Sequence, residues 1–280
     1  KWVLTQDEPK PEDALLHVYS SKDLGLNYES STPSGEPIVM VDAINHAIAE
    51  EMEMNDRVIV FGEDVGGGKG GVFTATRGLT DRFGKKRCYN APLAEASILG
   101  TAVGLSVNGF KPVVEIQFGD YIWPGMQQLR NQIPTLRYRS HNQYSCPMVI
   151  RVPIGGYIHG GLCHSQNIES FFAHIPGYKI VMPSNSADAK GLLKTAIRSD
   201  DPVMFLEHKF LYRQGFARKP EPASDYYVEI GKANVIREGS DVTVVTYGAL
   251  VQKAIVAARQ LEQQGVSVEI IDLRSIVPLD

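Results

Sequence analysis

The chain has 280 residues, enough for one large domain or for one domain and part of a second. Its formal charge of -4 provides no basic surface of the kind that binds nucleic acid. Hydrophobic residues make up 43% of it, yet no apolar run approaches the roughly 18 residues of a membrane-spanning helix. We therefore expect neither a nucleic-acid partner nor a membrane partner. Three cysteines without paired spacing indicate a reducing compartment: Cys88, Cys146 and Cys163.

The first part of the chain predicts an arm followed by a helix and a strand. Residues 1–36 are rich in Pro, Ser, Asp and Glu, as expected for an arm or linker. Apolar residues then recur at helical spacing, which predicts an amphipathic helix over 39–53: Val41, Ile44, Ile48 and Met52. The run VIVF at 58–61 predicts a short buried strand.

The glycine cluster after that strand satisfies GxGxxG through Gly66, Gly68 and Gly71. A nucleotide-binding turn would require a helix after it, whereas VFTATRG begins with β-branched and aromatic residues. A phosphate loop would require Ser or Thr after Lys69, where Gly70 stands. The pattern favours a mobile surface loop.

The rest of the chain alternates strands and helices. Strands are predicted over 112–116, 147–152, 178–182 and 203–206, with helices from the QFGDYIWP motif to about Tyr138 and over 186–198. After an expected linker over 207–227, a second strand–helix–strand unit is predicted over 242–271. We therefore expect an α/β fold with a mostly parallel sheet flanked by helices, and the truncated start of a second α/β domain.

The stretch NAPLAEASILG places Glu95 after Pro92, near the start of a helix rich in small residues. Such a carboxyl could share a proton with a ligand if it were partly desolvated. The alternative is that Glu95 caps the first turn of the helix, and spacing alone favours this cap.

The loop HGGLCHSQN offers two histidines, His159 and His164, among glycines that allow a ligand to approach the backbone. Ligands of parallel sheets bind at the carboxyl ends of the strands, where this loop, Glu95 and 117–121 are predicted to fall. Neither Cys163 as a nucleophile nor the two histidines as metal ligands has the further partner that such sites require.

With these residues placed, the chain resembles the beta subunit of the thiamine-diphosphate-dependent decarboxylating component of 2-oxo-acid dehydrogenase complexes, in the transketolase-like superfamily. The similarity runs from Val39 to Asp280, through FGEDVGGGKGGVF, NAPLAEASILG, EIQFGDYIWP, HGGLCHSQ and DLRSIVPLD. EIQFGDYI and FFAHIPG are more similar to the branched-chain (2-oxoisovalerate) enzymes, with a pyruvate or acetoin complex as the alternative. The resemblance implies oxidative decarboxylation of a branched-chain 2-oxo acid and acyl transfer to lipoyl groups; a non-catalytic assembly module is the contrasting hypothesis.

The resemblance also implies roles for individual residues. Glu95 matches the glutamate that hydrogen-bonds the aminopyrimidine ring of the cofactor, Tyr121 the aromatic residue beside that ring, and His164 the histidine that assists substrate or lipoyl transfer. Leu93 and Gln117 are further expected cofactor contacts. Potassium-site carbonyls of the family fall here on five residues, two of which (Ser199 and Asp201) replace the usual Asp and Asn: Met148, Ala196, Ile197, Ser199 and Asp201.

The family holds the cofactor diphosphate through magnesium bound by a GDG motif, which is absent from this sequence. We therefore expect an alpha subunit, separate or fused, to hold the diphosphate and Mg2+. The expected assembly is alpha2-beta2 around a dihydrolipoyl acyltransferase core, in a bacterial cytoplasm or a mitochondrial matrix. The expected domains are a pyrimidine-binding domain over 37–220 and the beginning of a transketolase C-terminal-like domain over 228–280.

Overall fold

The computed structural model describes residues 1–8 and 10–280. Its strands are β1 (Pro37–Ile38), β2 (Val58–Gly62), β3 (Cys88–Asn90), β4 (Lys111–Glu115), β5 (Val149–Ile154), β6 (Lys179–Val181), β7 (Val203–His208), β8 (Lys219–Pro220), β9 (Asn234–Arg237), β10 (Val242–Thr246), β11 (Val268–Asp272) and β12 (Ser275–Val277). Its α-helices are α1 (Met40–Met54), α2 (Leu79–Phe83), α3 (Glu95–Val107), α4 (Leu136–Arg139), α5 (Glu169–Ala173), α6 (Ser186–Arg198) and α7 (Ala249–Glu262).

Short helical turns join several of these elements. Three-ten turns lie at Val3–Thr5, Pro11–Leu15, Gly119–Tyr121, Trp123–Gly125, Gly161–Cys163, Lys209–Leu211 and Gly215–Ala217, and a π-helical turn at Gln128–Gln132. No helix among the described residues is both long enough and apolar enough to cross a bilayer.

The central sheet has seven strands in the order β12-β6-β7-β5-β4-β2-β3. All neighbouring pairs in it are parallel except β12 and β6, which are antiparallel. Parallel neighbours require crossover connections, which helices supply. The predicted α/β class with a mostly parallel sheet is confirmed.

Successive side chains of a strand pack on opposite faces of the central sheet, and each face has its own hydrophobic core. In β2, Val58 and Val60 pack into one core with α1 and α6, whereas Ile59 and Phe61 pack into the other core with α3. Successive side chains of a strand point to opposite faces, so a continuous apolar run is required where both faces are covered. The run VIVF is therefore buried on both sides.

The helix predicted after the QFGDYIWP motif is interrupted. Two three-ten turns, a π-helical turn and the four-residue α4 replace a continuous helix up to Tyr138. Pro124 and Pro134 lack a backbone N–H, and a proline inside a helix also clashes with the carbonyl one turn earlier. The apolar spacing of this segment predicts helical structure, but the two prolines interrupt the hydrogen bonds of a continuous α-helix.

The amino-terminal arm contacts the rest of the chain through its second half. The Tyr19 hydroxyl lies 3.2 Å from the carbonyl oxygen of Tyr178, and the backbone N–H of Ser20 donates to Oδ1 of Asp201 at 2.8 Å. Farther along, both carboxylate oxygens of Glu29 accept hydrogen bonds from the Arg274 guanidinium. The arm is thus fixed from about residue 19 onward.

The carboxy-terminal part of the chain contributes to two sheets. Strands β10, β11 and β9 form a separate three-stranded sheet, whereas β12 adds to the edge of the central sheet beside β6.

The segment expected to be a linker, 207–227, is partly buried at its start. There β7 continues to His208, and Leu211 and Tyr212 are buried in the first core. Apolar residues spaced irregularly between prolines hid this packing from the sequence.

Candidate active site

Two neighbouring strands bring Glu63 and Glu95 to the same edge of the sheet. Strand β2 ends at Gly62, directly before Glu63, and pairs with β3, whose last residue Asn90 lies opposite Gly62. After β3 the chain turns through Pro92, and Glu95 is the first residue of α3. Each glutamate is 8% exposed. Two carboxyl groups are therefore nearly buried at the carboxyl ends of adjacent parallel strands.

The environment of Glu63 disfavours negative charge. Burial raises the pKa of Glu63, and the nearby charges of Glu95 and Asp64 raise that pKa further. Its Oε1 atom is buried and has no hydrogen-bond partner among the described residues. Unpartnered buried polar atoms are rare in native proteins, so this oxygen suits a polar group that approaches from outside the chain.

Glu95 lies in the first turn of α3 but forms no capping hydrogen bond there. It stands at the first helical position, directly after Ala94 at the N-cap position, and no side-chain hydrogen bond caps this helix start. A carboxylate in the first turn still interacts favourably with the helix dipole, but its oxygens remain available to a ligand.

Gln117 and Leu93 flank the two glutamates in different surroundings. Gln117 follows β4, and its Nε2 lies 3.4 Å from Oδ2 of Asp64, at the limit of a hydrogen bond. Leu93 is 83% exposed in the turn before α3. An exposed leucine two residues from a nearly buried carboxyl leaves apolar surface open at this point.

Tyr121 and His164, which follow β4 and β5 in the chain, contact each other. The Tyr121 hydroxyl lies 2.7 Å from Nε2 of His164, and Nδ1 of His164 lies 3.1 Å from the carbonyl oxygen of Gly160. Because a carbonyl can only accept, Nδ1 carries the proton, and in the neutral imidazole Nε2 accepts from the tyrosine. The Phe118 ring packs edge-on against both rings. The two predicted residues thus form one unit, and their neighbour Cys163 is exposed.

A buried ion cluster lies at the same end of the strands. The Arg151 guanidinium donates to Oε2 of Glu115 at 2.7 Å and to both carboxylate oxygens of Glu207 at 2.7 and 2.8 Å. The Tyr212 hydroxyl also donates to Glu207. All four residues are at most 3% exposed. The sequence did not reveal this cluster, because its members come from three strands and the turn after one of them.

Lys209 was also missed by the sequence reasoning. It follows β7, is 1% exposed, and its ammonium has no hydrogen-bond partner among the described residues. Its Nζ lies 5.4 Å from the centroid of the Phe118 ring, which itself packs on Tyr121 and His164. Burial lowers the pKa of Lys209 to about 8, against the opposing attraction of Asp120. A buried ammonium group thus lies next to the Phe118 ring, on which Tyr121 and His164 pack.

The structure tests what the sequence predicts for the two glycine-rich segments, the one after Gly66 and the one that contains His159 and His164. The segment after Gly66 forms turns rather than a helix until α2 begins at Leu79, which agrees with the loop expected there. His159 is exposed with φ of 56°, whereas His164 is partly buried against Tyr121. The structure therefore brings His164, but not His159, into the site.

The five residues expected to hold potassium lie together at the opposite, amino-terminal end of the strands. Met148 precedes β5, while Ala196 to Asp201 span the end of α6 and the turn before β7. Three of the five carbonyl oxygens accept hydrogen bonds from the protein: Met148 O from Val203 N, Ala196 O from Ser199 N, and Ser199 O from the Lys111 ammonium at 2.6 Å. A protein ammonium thus lies on one of the carbonyl oxygens at which potassium was expected.

Comparison with known protein families agrees with this architecture. The family model described as the transketolase pyrimidine-binding domain matches residues 36–214, and that of the transketolase C-terminal domain matches residues 231–280. A split-gene transketolase, described as an inactive beta4 tetramer, superposes with a TM-score of 0.68 at 23% identity, over 87% of this chain and 73% of that one. A Pichia stipitis transketolase mutant gives a TM-score of 0.65 at 15% identity, over 92% of this chain and 38% of that one. These likenesses concern the fold.

Relatives with similar sequences define the family of this chain more narrowly than the fold does. The chain is 52% identical over 240 residues to the 2-oxoisovalerate dehydrogenase subunit beta of Bacillus subtilis, covering 86% of this chain and 72% of the relative. It is 46% identical over 243 residues to the pyruvate dehydrogenase E1 component subunit beta of the same organism, and 47% identical to that of Staphylococcus epidermidis; both alignments cover 87% of this chain and 74% of the relative. The chain therefore belongs to the transketolase-like family and, within it, to the beta subunits of the 2-oxo-acid dehydrogenases.

Proposed function

We propose that this chain supplies half of a thiamine-diphosphate site that decarboxylates a branched-chain 2-oxo acid. The observation that carries the proposal is the pair of nearly buried carboxyl groups, Glu63 and Glu95, at the carboxyl ends of β2 and β3. Residues 37–220 would form the pyrimidine-binding domain and 228–280 the beginning of the C-terminal-like domain, with 1–36 as an arm.

The residues present fit the aminopyrimidine end of the cofactor. A protonated or proton-sharing Glu95 carboxyl would hydrogen-bond a ring nitrogen, and the unpartnered Oε1 of Glu63 leaves a second polar group available. When bound, thiamine diphosphate supplies the electron sink for decarboxylation. The part of this chain is to hold the ring in one orientation and to keep a proton at the Glu95 carboxyl.

The other candidate residues would surround the same ring and the substrate. Tyr121 and Gln117 would flank the ring, and Leu93 would cover it on the exposed side. His164, oriented by the Tyr121 hydroxyl and the Gly160 carbonyl, would face the substrate or lipoyl group and exchange a proton with it. These roles give each polar side chain of the site one task.

The remaining half of the site would come from a partner. The sequence contains no GDG motif, so an alpha subunit, separate or fused, would hold the diphosphate and Mg2+. The assembled enzyme, expected as alpha2-beta2, would pass the acyl group to lipoyl groups of a dihydrolipoyl acyltransferase core. Such an enzyme would work in the cytoplasm of a bacterium or the matrix of a mitochondrion.

A reconstitution experiment tests this division. The purified chain is mixed with thiamine diphosphate, Mg2+ and 3-methyl-2-oxobutanoate, with and without the alpha subunit, and release of carbon dioxide is measured. We expect turnover only when both subunits are present. Turnover by this chain alone would contradict the proposal, as would the absence of activity from a correctly assembled pair.

Pyruvate is the second candidate substrate, with an acetoin enzyme as a further alternative. The pyruvate relatives are 46–47% identical to this chain, only slightly below the 52% of the 2-oxoisovalerate relative. Comparison of kcat/KM of the assembled enzyme for 3-methyl-2-oxobutanoate, pyruvate and acetoin separates the three. We expect the branched-chain acid to be preferred; a preference for either other substrate would reassign the enzyme.

A further inference from the structure

We propose that the Lys111 ammonium takes the place of the potassium ion in this chain. The two cations have the same charge, and both are bound by backbone carbonyl oxygens. Lys111 begins β4 and extends to the turn after α6, where its Nζ lies 2.6 Å from Ser199 O and 3.4 Å from Arg198 O. The proposal concerns the stability of this junction and does not depend on the reaction catalysed.

Asp201, another residue whose carbonyl was expected to bind potassium, has its carboxylate charge opposed by cations of the protein itself. Asp201 is 1% exposed, and its carboxylate lies 3.3 Å from Nε of Arg137 and 3.1 Å from Nζ of Lys179. The backbone N–H of Ser20, in the arm, donates to the same carboxylate at 2.8 Å. Two protein cations and one backbone N–H therefore lie close to this carboxylate, although its Oδ2 atom is buried and makes no hydrogen bond among the described residues.

Arg137 binds the intervening residue as well. Its Nη2 donates to the carbonyl oxygen of Asp200 at 2.7 Å and to Oδ2 of that residue at 2.9 Å. In the turn from Arg198 to Asp201, Lys111 and Arg137 thus donate to three carbonyl oxygens, and Arg137 and Lys179 form ion pairs with the two carboxylates. A further cation among these groups would be repelled by them at short range.

This turn connects α6 with β7, in the middle of the central sheet. Lys111 begins β4, and Val203 N, at the start of β7, donates to Met148 O just before β5. The ammonium therefore joins the start of β4 to the turn before β7, and a backbone hydrogen bond joins β7 to the residue before β5. A covalently attached cation performs this task without the loss of site occupancy that a dissociable ion suffers when its concentration falls.

Thermal unfolding of the purified full-length protein, in the assembly in which it occurs, tests the proposal. The unfolding midpoint is measured in potassium, sodium and tetramethylammonium chloride at equal ionic strength. We expect wild-type midpoints that agree within about 1 °C, since no ion binds to the folded state specifically. A saturable rise specific to potassium would overturn the proposal.

Variants at Lys111 provide a second test that does not rest on the wild-type result. Lys111→Ala leaves the Ser199 carbonyl without its cation, and we expect a midpoint lower by about 4 °C in tetramethylammonium chloride, partly restored by potassium. Lys111→Arg keeps the charge and should stay unresponsive even if the alanine variant cannot be purified. The matched control is Lys85→Ala, at an exposed lysine. A Lys111→Ala protein that responds to potassium no more than wild type would also overturn the proposal.

Discussion

The Tyr121 hydroxyl lies 2.7 Å from Nε2 of His164, although 43 residues separate the two in the chain. The Gly160 carbonyl fixes the other ring nitrogen as the donor, so the tyrosine is left to donate to Nε2. The imidazole is thereby held in one tautomer and one orientation before any substrate arrives. Orientation of this kind is one way in which a protein lowers the barrier of a proton transfer.

Tyr121→Phe should lower kcat/KM of the assembled enzyme about three- to tenfold, because it removes one neutral hydrogen bond worth about 0.5–1.5 kcal/mol. The phenyl ring retains the packing against Phe118. Tyr138→Phe, at a half-exposed tyrosine, is the matched control and should leave the rate unchanged.

A double-mutant cycle with His164→Asn separates this mechanism from a simple loss of packing. If Tyr121 acts through His164, the tyrosine substitution should have little further effect once the histidine is gone. Two fully multiplicative losses would show instead that Tyr121 acts on its own.

Replacement of Arg151 by Met should destabilise the protein by about 3–5 kcal/mol, because Glu115 and Glu207 would be left buried without a cation. The free energy of unfolding is measured by denaturant titration. Arg82→Met is the matched control: Arg82 forms an exposed ion pair with Glu53, and its loss should cost less than about 1 kcal/mol. Equal costs for the two substitutions would contradict the structural role assigned to the buried cluster.

Asp272 gives the stability a specific pH dependence. Burial raises the pKa of Asp272 from 3.8 to about 6, while the Ser184 hydroxyl donates to its carboxylate. Since the folded-state pKa is above the unfolded value, the folded state retains a proton that the unfolded state loses. The contribution of Asp272 to stability is therefore greatest below about pH 4 and decreases until about pH 6.

Asp272→Asn removes this titration and tests its sign. The free energy of unfolding of the variant minus that of the wild type should rise by about 1–3 kcal/mol between pH 4 and pH 7, as two pKa units permit. Thermal or denaturant unfolding of both proteins across this range measures the difference. A constant difference, or one that falls with rising pH, would contradict the raised pKa.

Regular apolar spacing made most of the fold predictable. Helix α6 begins and ends where its pattern indicated, with Asn185 as its N-cap, and the two glycine-rich segments are loops. The short strand β3 and the edge strand β12 were missed, because three residues contain too little periodicity to be distinguished from a turn. Their positions depend on pairing with β2 and β6, which is information that lies elsewhere in the chain.

The candidate site was predictable residue by residue only where a motif marked it. Glu95, Tyr121 and His164 stand in such motifs, and the structure places them at the expected end of the strands. Glu63 stands in the FGED motif, yet its burial depends on the pairing of β2 with β3. Lys209 lies in a stretch with the composition of a linker, so nothing local indicated a buried ammonium.

The central claim is that Glu95 handles a proton for a bound cofactor rather than capping α3. The most direct measurement is kcat of the assembled enzyme with Glu95→Gln. This substitution keeps the shape of the side chain but cannot donate or accept the same proton. Glu53→Gln, at an exposed glutamate, is the control. The account predicts a loss of about 100-fold or more for Glu95→Gln, with assembly intact, and none for the control. A Glu95→Gln enzyme that assembles and works at the wild-type rate would contradict it.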